Sequence, residues 1–297
     1  MTKKKKSIFH VLEILRPYQW SKNFLVFLPI ILAQDFDYQN FKEGLNCFIV
    51  FSLTASAVYI LNDIIDLKHD KKHKYKKFRP LASGLINLKQ CWFLIFFLLV
   101  PIIVFIKVLN LNFYILIFTY FVISNLYTFF LKKLIIIDIL TLGILYTFRI
   151  IGGGLALDIT LSVWLISFSF FFFLSLASLK RLIEIIDGPK NLNFQIPGRA
   201  YMKQDQILIT ILSLSAGMLS VLIFILYLNS NQFENYYNNS KVLWGVCIVL
   251  SYWILRINIL TTRNKIKIDP IIFALKDKAS YWCLLVIITL MIISKFI

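Results

Sequence analysis

Three aspartates stand at a regular spacing in a basic segment that separates two strongly apolar stretches of the chain. Asp63, Asp66 and Asp70 are spaced i, i+3 and i+7, so on a helix they would share one face. Three carboxylates on one stripe repel each other unless a cation lies among them. Magnesium prefers oxygen ligands and is commonly held by one or two carboxylates plus substrate phosphates. The spacing therefore predicts a magnesium site at these aspartates, supported by Asn62.

The alternative for these acids is a solvated helix end, with their charge balanced by neighbouring lysines. That interpretation is weaker for Asp63 and Asp66, which follow directly on an apolar helix where carboxylates are costly. Lys76 and Arg79 lie in the loop that follows, and both side chains are suited to phosphate. We predict that these two bind phosphate, with a loop that serves only membrane topology as the alternative.

A second charged group stands near the end of a later apolar run. Lys180, Arg181 and Glu184 lie within about one helical turn of each other, and Tyr201 follows in the same loop. Because Lys180 and Glu184 are spaced i, i+4, a simple helix-face ion pair is an alternative to substrate binding. Together with the first segment, this group is expected to give two metal- and phosphate-binding clusters that face each other.

Two polar groups stand within apolar stretches. Asp138 and Arg149 are expected to face the protein interior, because charged side chains in contact with lipid are costly. Arg149 and Lys132 are candidates for substrate binding, and for Lys132 a side chain that extends to the membrane surface is the alternative. The glycines at 152–154 are interpreted as packing positions, since small residues let helices approach closely.

The composition places these clusters in an integral membrane protein. Hydrophobic residues make up 59% of the 297 residues, whereas soluble proteins are typically about 45–50% apolar. Nine apolar runs are candidate spanning helices, and all but the first, which is short and could be tilted or interfacial at its start, have roughly the length that spans a bilayer core. They lie near 23–35, 44–61, 90–107, 112–130, 134–155, 161–179, 206–228, 241–260 and 279–297. The sequence predicts an all-α, polytopic membrane protein with about nine spanning helices and one integral membrane domain over residues 1–297.

The charge pattern orients these helices. The net charge is +17, and most of the 32 Lys and Arg fall on alternate connections, above all the loops 62–89 and 180–205. The positive-inside rule makes that side cytoplasmic, with the N-terminus inside and the C-terminus outside. The chemistry is therefore expected at the cytoplasmic face. Topology and anionic headgroups explain the positive charge, so no nucleic acid is expected as a partner.

The four cysteines, Cys47, Cys91, Cys247 and Cys283, fall in or beside apolar segments. We interpret them as small core residues, since their spacing predicts neither a disulfide framework nor a metal site.

Several segments together resemble the UbiA superfamily of intramembrane prenyltransferases, across essentially the whole chain. Within it they look like the bacterial decaprenyl-phosphate phosphoribosyltransferase branch. These segments are RPYQWSKN (16–23), NDIIDLKHDKKHKYKKFRPLASG (62–84), LKKLIIIDILTLGILYTFRIIGGG (131–154), SLKRLIEI (178–185) and DPIIFALKD (269–277). Members that use an aromatic acceptor usually carry a second aspartate-rich DxxxD motif, where this chain reads KRLIEIIDG. That difference favours the phosphoribosyl branch.

The resemblance implies a magnesium-dependent glycosyltransferase of the bacterial inner (cytoplasmic) membrane that serves the cell envelope. It would transfer 5-phosphoribose from phosphoribosyl pyrophosphate (PRPP) to a polyprenyl phosphate. The residues that the resemblance assigns are charged or polar and lie in these segments: Asp63 and Asp66 for metal and catalysis, Asn62 and Asp70 in support of the metal, Lys180 for catalysis and phosphate, and Lys76, Arg79 and Arg181 for phosphate. One departure is Lys74, where the family pattern has Pro after the histidine.

Two alternatives stay open. The first is transfer of a prenyl group from an allylic pyrophosphate to an aromatic acceptor, which would use the same fold, metal and first motif. The second is a non-catalytic membrane transporter or flippase. Such a protein would need charges along a pathway through the membrane, whereas here they cluster on one side.

Overall fold

Long apolar helices form the framework of this protein. The structure, a computed structural model, describes residues 10–71, 76–104, 109–189, 191, 193–196, 198–230 and 239–296. Within these ranges the regular structure is helical, and an isolated bridge pairs Gln195 with Met202. The predicted all-α, polytopic membrane architecture is thereby confirmed.

The α-helices of the described residues follow one another in a simple order. They are α1 (Leu28–Ala33), α2 (Tyr38–Ile65), α3 (Leu67–Asp70), α4 (Leu88–Val104), α5 (Leu111–Phe129), α6 (Ile137–Ala156), α7 (Val163–Asp187), α8 (Gln206–Leu228), α9 (Ser240–Thr262), α10 (Pro270–Ala274) and α11 (Lys278–Phe296). Short 3-10 helices occupy Pro17–Phe27, Lys76–Phe78, Leu131–Lys133 and Lys203–Asp205. In this part of the chain, 7 helices are long and apolar enough to cross a membrane: α2, α5, α6, α7, α8, α9 and α11.

The predicted number of nine spanning helices is not confirmed in the described part of the chain. The first predicted run, 23–35, is divided between the 3-10 helix Pro17–Phe27 and the six-residue α1. Both elements have a proline in their first turn, and proline interrupts the hydrogen bonding of a continuous helix. The run predicted at 90–107 corresponds to α4, an apolar but shorter helix. The other predicted runs coincide with the spanning helices.

The chain divides into two compact units. The first comprises residues up to 129 together with 148–160, and the second comprises 130–147 together with 161–297. Helix α6 contributes its first part to the second unit and its last part to the first. One integral membrane domain over the whole chain stays a prediction.

In the first unit, α2 is the central helix. It packs against the 3-10 helix Pro17–Phe27 and against α4 and α5. The glycines of α6 act as packing positions, as predicted: a Cβ at Gly153 would lie 2.2 Å from the backbone oxygen of Val26, and one at Gly152 would lie 2.5 Å from the ring of Phe51. The end of α6 therefore touches the backbone of its neighbour directly.

In the second unit, α7 packs along α8, and α9 packs against α8 and α11. Small polar side chains join the first pair, since Ser175 donates to the carbonyl of Ser213 at 2.7 Å and Ser213 donates back at 3.2 Å. Trp253 of α9 donates to Ser280 of α11 at 2.8 Å. The cysteines of the chain are free and buried, which agrees with their interpretation as core residues.

Candidate active site

Helix α2 ends where the predicted metal-binding segment begins. Asn62 and Asp63 lie in its last turn, and Asp66 is the residue that caps it. The backbone N–H of Asp66 donates to the carbonyl of Asn62 at 2.9 Å. Asp70 ends the short α3. The continuous helical stripe that the spacing predicted is therefore interrupted after Ile65, although the acidic residues stay within one segment.

Two arginines hold the carboxylates of this segment. Arg79 Nη1 lies 3.1 Å from Asp63 Oδ1 and 2.6 Å from Asp70 Oδ2, so the two acids meet at one nitrogen. Arg16 contacts the same oxygen of Asp63 at 2.5 Å, and its guanidinium lies 5.3 Å from the centre of the Tyr59 ring. Asp63 and Asp70 are each only 3% exposed. The arginines compensate two charges that have lost their hydration.

Arg16 is a contact of this site that sequence reasoning missed. It lies 47 positions from Asp63, so no local spacing connects the two residues. Its backbone φ of +53° is uncommon for a residue other than glycine, and it directly precedes the 3-10 helix Pro17–Phe27. The one available signal was its position at the start of the segment RPYQWSKN.

The oxygen donors of this cluster suit magnesium. Asn62 Oδ1 is buried and has no hydrogen-bond partner among the described residues, and Asn62 directly precedes Asp63. In the same ranges, no three acidic, histidine or cysteine side chains group closely enough to enclose a metal ion. Mg²⁺ does not require such a cage, because it usually takes one or two carboxylates and completes its shell with water and phosphate. An amide oxygen without a partner beside two neighbouring carboxylates fits that donor set.

The remaining residues predicted for this cluster are Asp66 and Lys76. The side chain of Asp66 is half-buried at the end of α2. The prediction for Lys76 falls on a side chain outside the described part of the structure.

Arg149 is buried in the first unit, as its position in an apolar stretch predicted. Its Nε donates to Asn23 Oδ1 at 2.8 Å, and its Nη2 donates to the hydroxyl of Tyr120 at 3.0 Å. Asn23 in turn donates to Ser52 Oγ at 3.0 Å. These contacts make Arg149 a link between the 3-10 helix Pro17–Phe27, α2 and α5.

The second unit gathers charged side chains around Asp138, which is fully buried. Arg181 donates to both carboxylate oxygens of Asp138, from Nε to Oδ2 and from Nη2 to Oδ1, the latter at 3.1 Å. The same guanidinium donates from Nη1 to Glu184 Oε2 at 2.6 Å. Arg199 adds a third cation, with its Nη1 3.1 Å from Asp138 Oδ1. Arg181 is itself fully buried, so its forked contacts serve protein carboxylates.

Lys180 and Arg181 are neighbours in sequence but differ in environment. The side chain of Lys180 is 32% exposed, and its ammonium lies 3.4 Å from Asp269. Asp269 also caps α10 by accepting a hydrogen bond from the N–H of Ile271. In the described contacts Glu184 pairs with Arg181, three positions before it, and Lys180 pairs with Asp269. Lys180 is therefore partly exposed, whereas its neighbour Arg181 is enclosed by protein carboxylates.

Tyr201, a predicted substrate contact, is buried and holds a turn of the backbone. Its hydroxyl accepts a hydrogen bond from the N–H of Ile136 at 3.0 Å. Ile136 has a φ of +66°, which is a rare conformation for a β-branched residue. Because α6 begins at the next residue, this hydrogen bond fixes the start of the helix that carries Asp138.

A basic groove lies beside this cluster in the second unit. Lys132 is half-buried in the 3-10 helix Leu131–Lys133, and its carbonyl lies 3.5 Å from Arg199 Nη1. The groove has a volume of about 330 Å³ and is lined by Lys133, Gln195, Ile196, Gly198, Arg199 and Ala200. Two cations and an open shape make it suitable for a phosphate group.

We expect Tyr201→Phe to lower the free energy of unfolding by about 1–3 kcal/mol, because the N–H of Ile136 loses its acceptor. Chemical unfolding of the detergent-solubilised protein, followed by circular dichroism, measures this change. Tyr252→Phe is the matched control, because Tyr252 is an exposed tyrosine of the same unit. Equal stability of the two variants would contradict a stabilising function of the Tyr201 hydroxyl.

Comparison with known proteins identifies relatives along nearly the whole chain. Residues 24–274 match the model of the UbiA prenyltransferase family. The uncharacterized protein y4nM of Sinorhizobium fredii is 34% identical over 275 residues, which cover 91% of this chain and 53% of that protein. The decaprenyl-phosphate phosphoribosyltransferase of Mycolicibacterium smegmatis is 33% identical over 180 residues, which cover 59% of this chain and 57% of that protein. The matched regions thus span little more than half the length of these two relatives.

A solved structure shows the same fold. The UbiA homolog from Archaeoglobus fulgidus, in complex with DMAPP and Mg²⁺, matches with a TM-score of 0.62 and 14% sequence identity. The match covers 93% of this chain and 98% of that one. At this level of identity the similarity concerns the fold alone.

Proposed function

This chain belongs to the UbiA prenyltransferase family, and we propose that it transfers 5-phosphoribose from PRPP to a polyprenyl phosphate. The product is polyprenyl-phosphoryl-5-phosphoribose. The similarity of 180 residues to a decaprenyl-phosphate phosphoribosyltransferase supports this choice within the family.

One observation carries the choice of an anionic acceptor. Each of the three carboxylates in the cluster of the second unit lies against a cation: Asp138 against Arg181 and Arg199, Glu184 against Arg181, and Asp269 against Lys180. The acids Asp63 and Asp70 of the first cluster are also paired with arginines, but that cluster adds the buried amide oxygen of Asn62, which has no hydrogen-bond partner among the described residues. The cluster of the second unit combines its paired acids with one further cation, Lys133, in a groove that Arg199 also lines. It suits a lipid phosphate better than a second metal ion.

The cluster of the first unit is proposed to bind PRPP. Asn62, Asp63, Asp66 and Asp70 would hold magnesium, which supplies charge neutralisation for the pyrophosphate leaving group. Arg79 and Lys76 would contact the phosphates of PRPP. The bond between ribose C1 and oxygen breaks with oxocarbenium character. Arg79 and Lys76 would then stabilise the negative charge that develops on pyrophosphate.

The cluster of the second unit is proposed to bind the acceptor. The attacking oxygen belongs to a phosphate that is already ionised near neutral pH, so the reaction needs no strong general base. Lys180 would orient this phosphate and neutralise part of its charge. Lys132 is proposed as a further contact of this acceptor. Arg149 belongs to the first unit, where it would act by positioning, since its guanidinium is bound to Asn23 and Tyr120. Arg181, Glu184 and Tyr201 would act by positioning, since each is engaged with protein groups.

The same proposal includes a location and an orientation. The chain is a multi-pass membrane protein, and we place it in a bacterial inner membrane with its N-terminus and both clusters on the cytoplasmic side. The basic loops 62–89 and 180–205 support this orientation, since positive connections stay in the cytoplasm.

A second candidate is prenyl transfer from an allylic pyrophosphate to an aromatic acceptor. The name of the matching family and the A. fulgidus homolog bound to DMAPP favour it. Both reactions would use the same aspartate-containing cluster, so the acceptor and the donor distinguish them.

A transfer assay tests the proposal. Purified full-length protein is incubated with Mg²⁺, a polyprenyl phosphate and labelled PRPP, and the label is followed into the lipid phase. We expect transfer that stops when EDTA removes the metal. A parallel reaction supplies a labelled allylic pyrophosphate with an aromatic acceptor. Transfer in that reaction alone would overturn the phosphoribosyl assignment, and folded protein inactive in both reactions would overturn both candidates.

A further inference from the structure

One face of α9 combines exposed apolar side chains with two arginines. Tyr252, Leu255 and Ile259 are 54%, 44% and 48% exposed, whereas Trp253 and Ile254 are buried on the other side of the helix. An open groove of about 340 Å³ runs along the exposed face. Its lining residues recur at helical spacing: Tyr252, Leu255, Arg256, Ile259, Leu260 and Arg263. The groove is therefore apolar along most of its wall and positively charged at one end.

The two arginines of the groove differ in their partners. Arg256 forms two hydrogen bonds to Asp277, at 2.7 and 2.9 Å, and they hold the pKa of the Asp277 carboxyl below its ordinary value. The positive charge of Arg256 is therefore matched by an ionised carboxylate. Arg263 is exposed where α9 ends, and its side chain has no ion pair within the described part of the chain. Among the described residues, the positive charge at this end of the groove has no acidic partner.

We propose that this groove binds an anionic phospholipid of the surrounding bilayer, with its acyl chains along the apolar face and its phosphate at Arg263. An exposed apolar face on a spanning helix is covered by acyl chains. Basic side chains at the end of such a helix lie at the depth of the headgroups. Lys265 and Lys267 are exposed just after Arg263 in the sequence, and their charges add to the attraction for a negative headgroup. None of the lining residues belongs to the proposed substrate sites, so this lipid is not a substrate.

Native mass spectrometry of the full-length protein tests this site. The protein is equilibrated in detergent with equal amounts of phosphatidylglycerol and phosphatidylcholine that carry identical acyl chains. We expect preferential retention of phosphatidylglycerol. Arg263→Gln should weaken that retention about fivefold, which corresponds to roughly 1 kcal/mol for one basic side chain near the membrane surface. Binding of phosphatidylcholine, whose choline offsets the charge of its phosphate, should weaken less.

Two further variants control for charge and for folding. Lys241→Gln removes a cation at the opposite end of α9 and should keep the preference of the unaltered protein. Arg263→Lys keeps the positive charge and should also keep the preference for phosphatidylglycerol. If Arg263→Gln failed to fold, a titration of the unaltered protein with salt would be the test, and added salt should weaken the retention of phosphatidylglycerol. Equal retention of the two lipids, or an unchanged preference in Arg263→Gln, would overturn the proposal. A loss of polyprenyl phosphate binding in Arg263→Gln with retained phosphatidylglycerol would also overturn it, in favour of an acceptor site.

Discussion

Asp66→Asn is expected to reduce phosphoribosyl transfer by about 100-fold or more while the protein keeps its fold. The substitution removes one charge from the proposed magnesium site, and losing one group that stabilises developing charge costs about 10²–10³ in rate. Asp66 caps α2 through its backbone N–H, and its side chain is half-buried. An amide of the same size therefore leaves the hydrogen bonding of the helix in place. Initial rates across a magnesium titration measure the effect.

The choice of Asp66 over Asp63 separates catalysis from stability. Asp63→Asn would also leave Arg16 and Arg79 with less compensation in a buried site, which destabilises the fold itself. Asp35→Asn removes an exposed carboxylate of the same unit and should retain the normal rate. Normal turnover in a folded Asp66→Asn variant would contradict the magnesium assignment.

Local spacing predicted that Asp63 and Asp70 lie close together, and this holds although the helix that carries them is interrupted. Helix α2 ends at Ile65, and α3 begins at Leu67. The bond from the N–H of Asp70 to the carbonyl of Asp66, at 2.8 Å, continues the helical path across the interruption. Asp63 and Asp70 therefore still meet at Arg79. Sequence spacing captures such neighbours because helical geometry recurs every few residues.

Partners from distant parts of the chain could not be found in this way. The burial of Asp138 followed from its position in an apolar run, but its contacts come from 43 and 61 positions away, at Arg181 and Arg199. Tertiary packing alone selects these partners. The first apolar run, 23–35, is short for a spanning helix, and it is divided between the 3-10 helix that ends at Phe27 and α1, which begins at Leu28 beside Pro29.

Lys180→Ala and Arg181→Met are expected to separate substrate binding from folding at two adjacent positions. Lys180 is partly exposed, so losing its pair with Asp269 should change the free energy of unfolding by less than about 1 kcal/mol. Removal of its ammonium should raise the KM for polyprenyl phosphate about tenfold or more, as for a lost hydrogen bond to a charged group. The magnesium dependence of the rate should remain unchanged.

Arg181→Met should have the opposite effect, with a large loss in the free energy of unfolding. Its guanidinium is fully buried and bound to Asp138 and Glu184. Its removal therefore leaves the buried carboxylate of Asp138 without its forked partner, although Arg199 still lies beside it. Breaking such a buried pair typically costs about 3–5 kcal/mol. The double variant Asp138→Asn/Arg181→Met should recover part of this loss, because the two fully buried charges are removed together and the remaining Glu184 and Arg199 are only partly buried. Chemical unfolding and transfer kinetics on the same preparations measure both effects. Unchanged kinetics in Lys180→Ala would remove Lys180 from the proposed acceptor site, whereas an unchanged unfolding free energy in Arg181→Met would contradict its structural function.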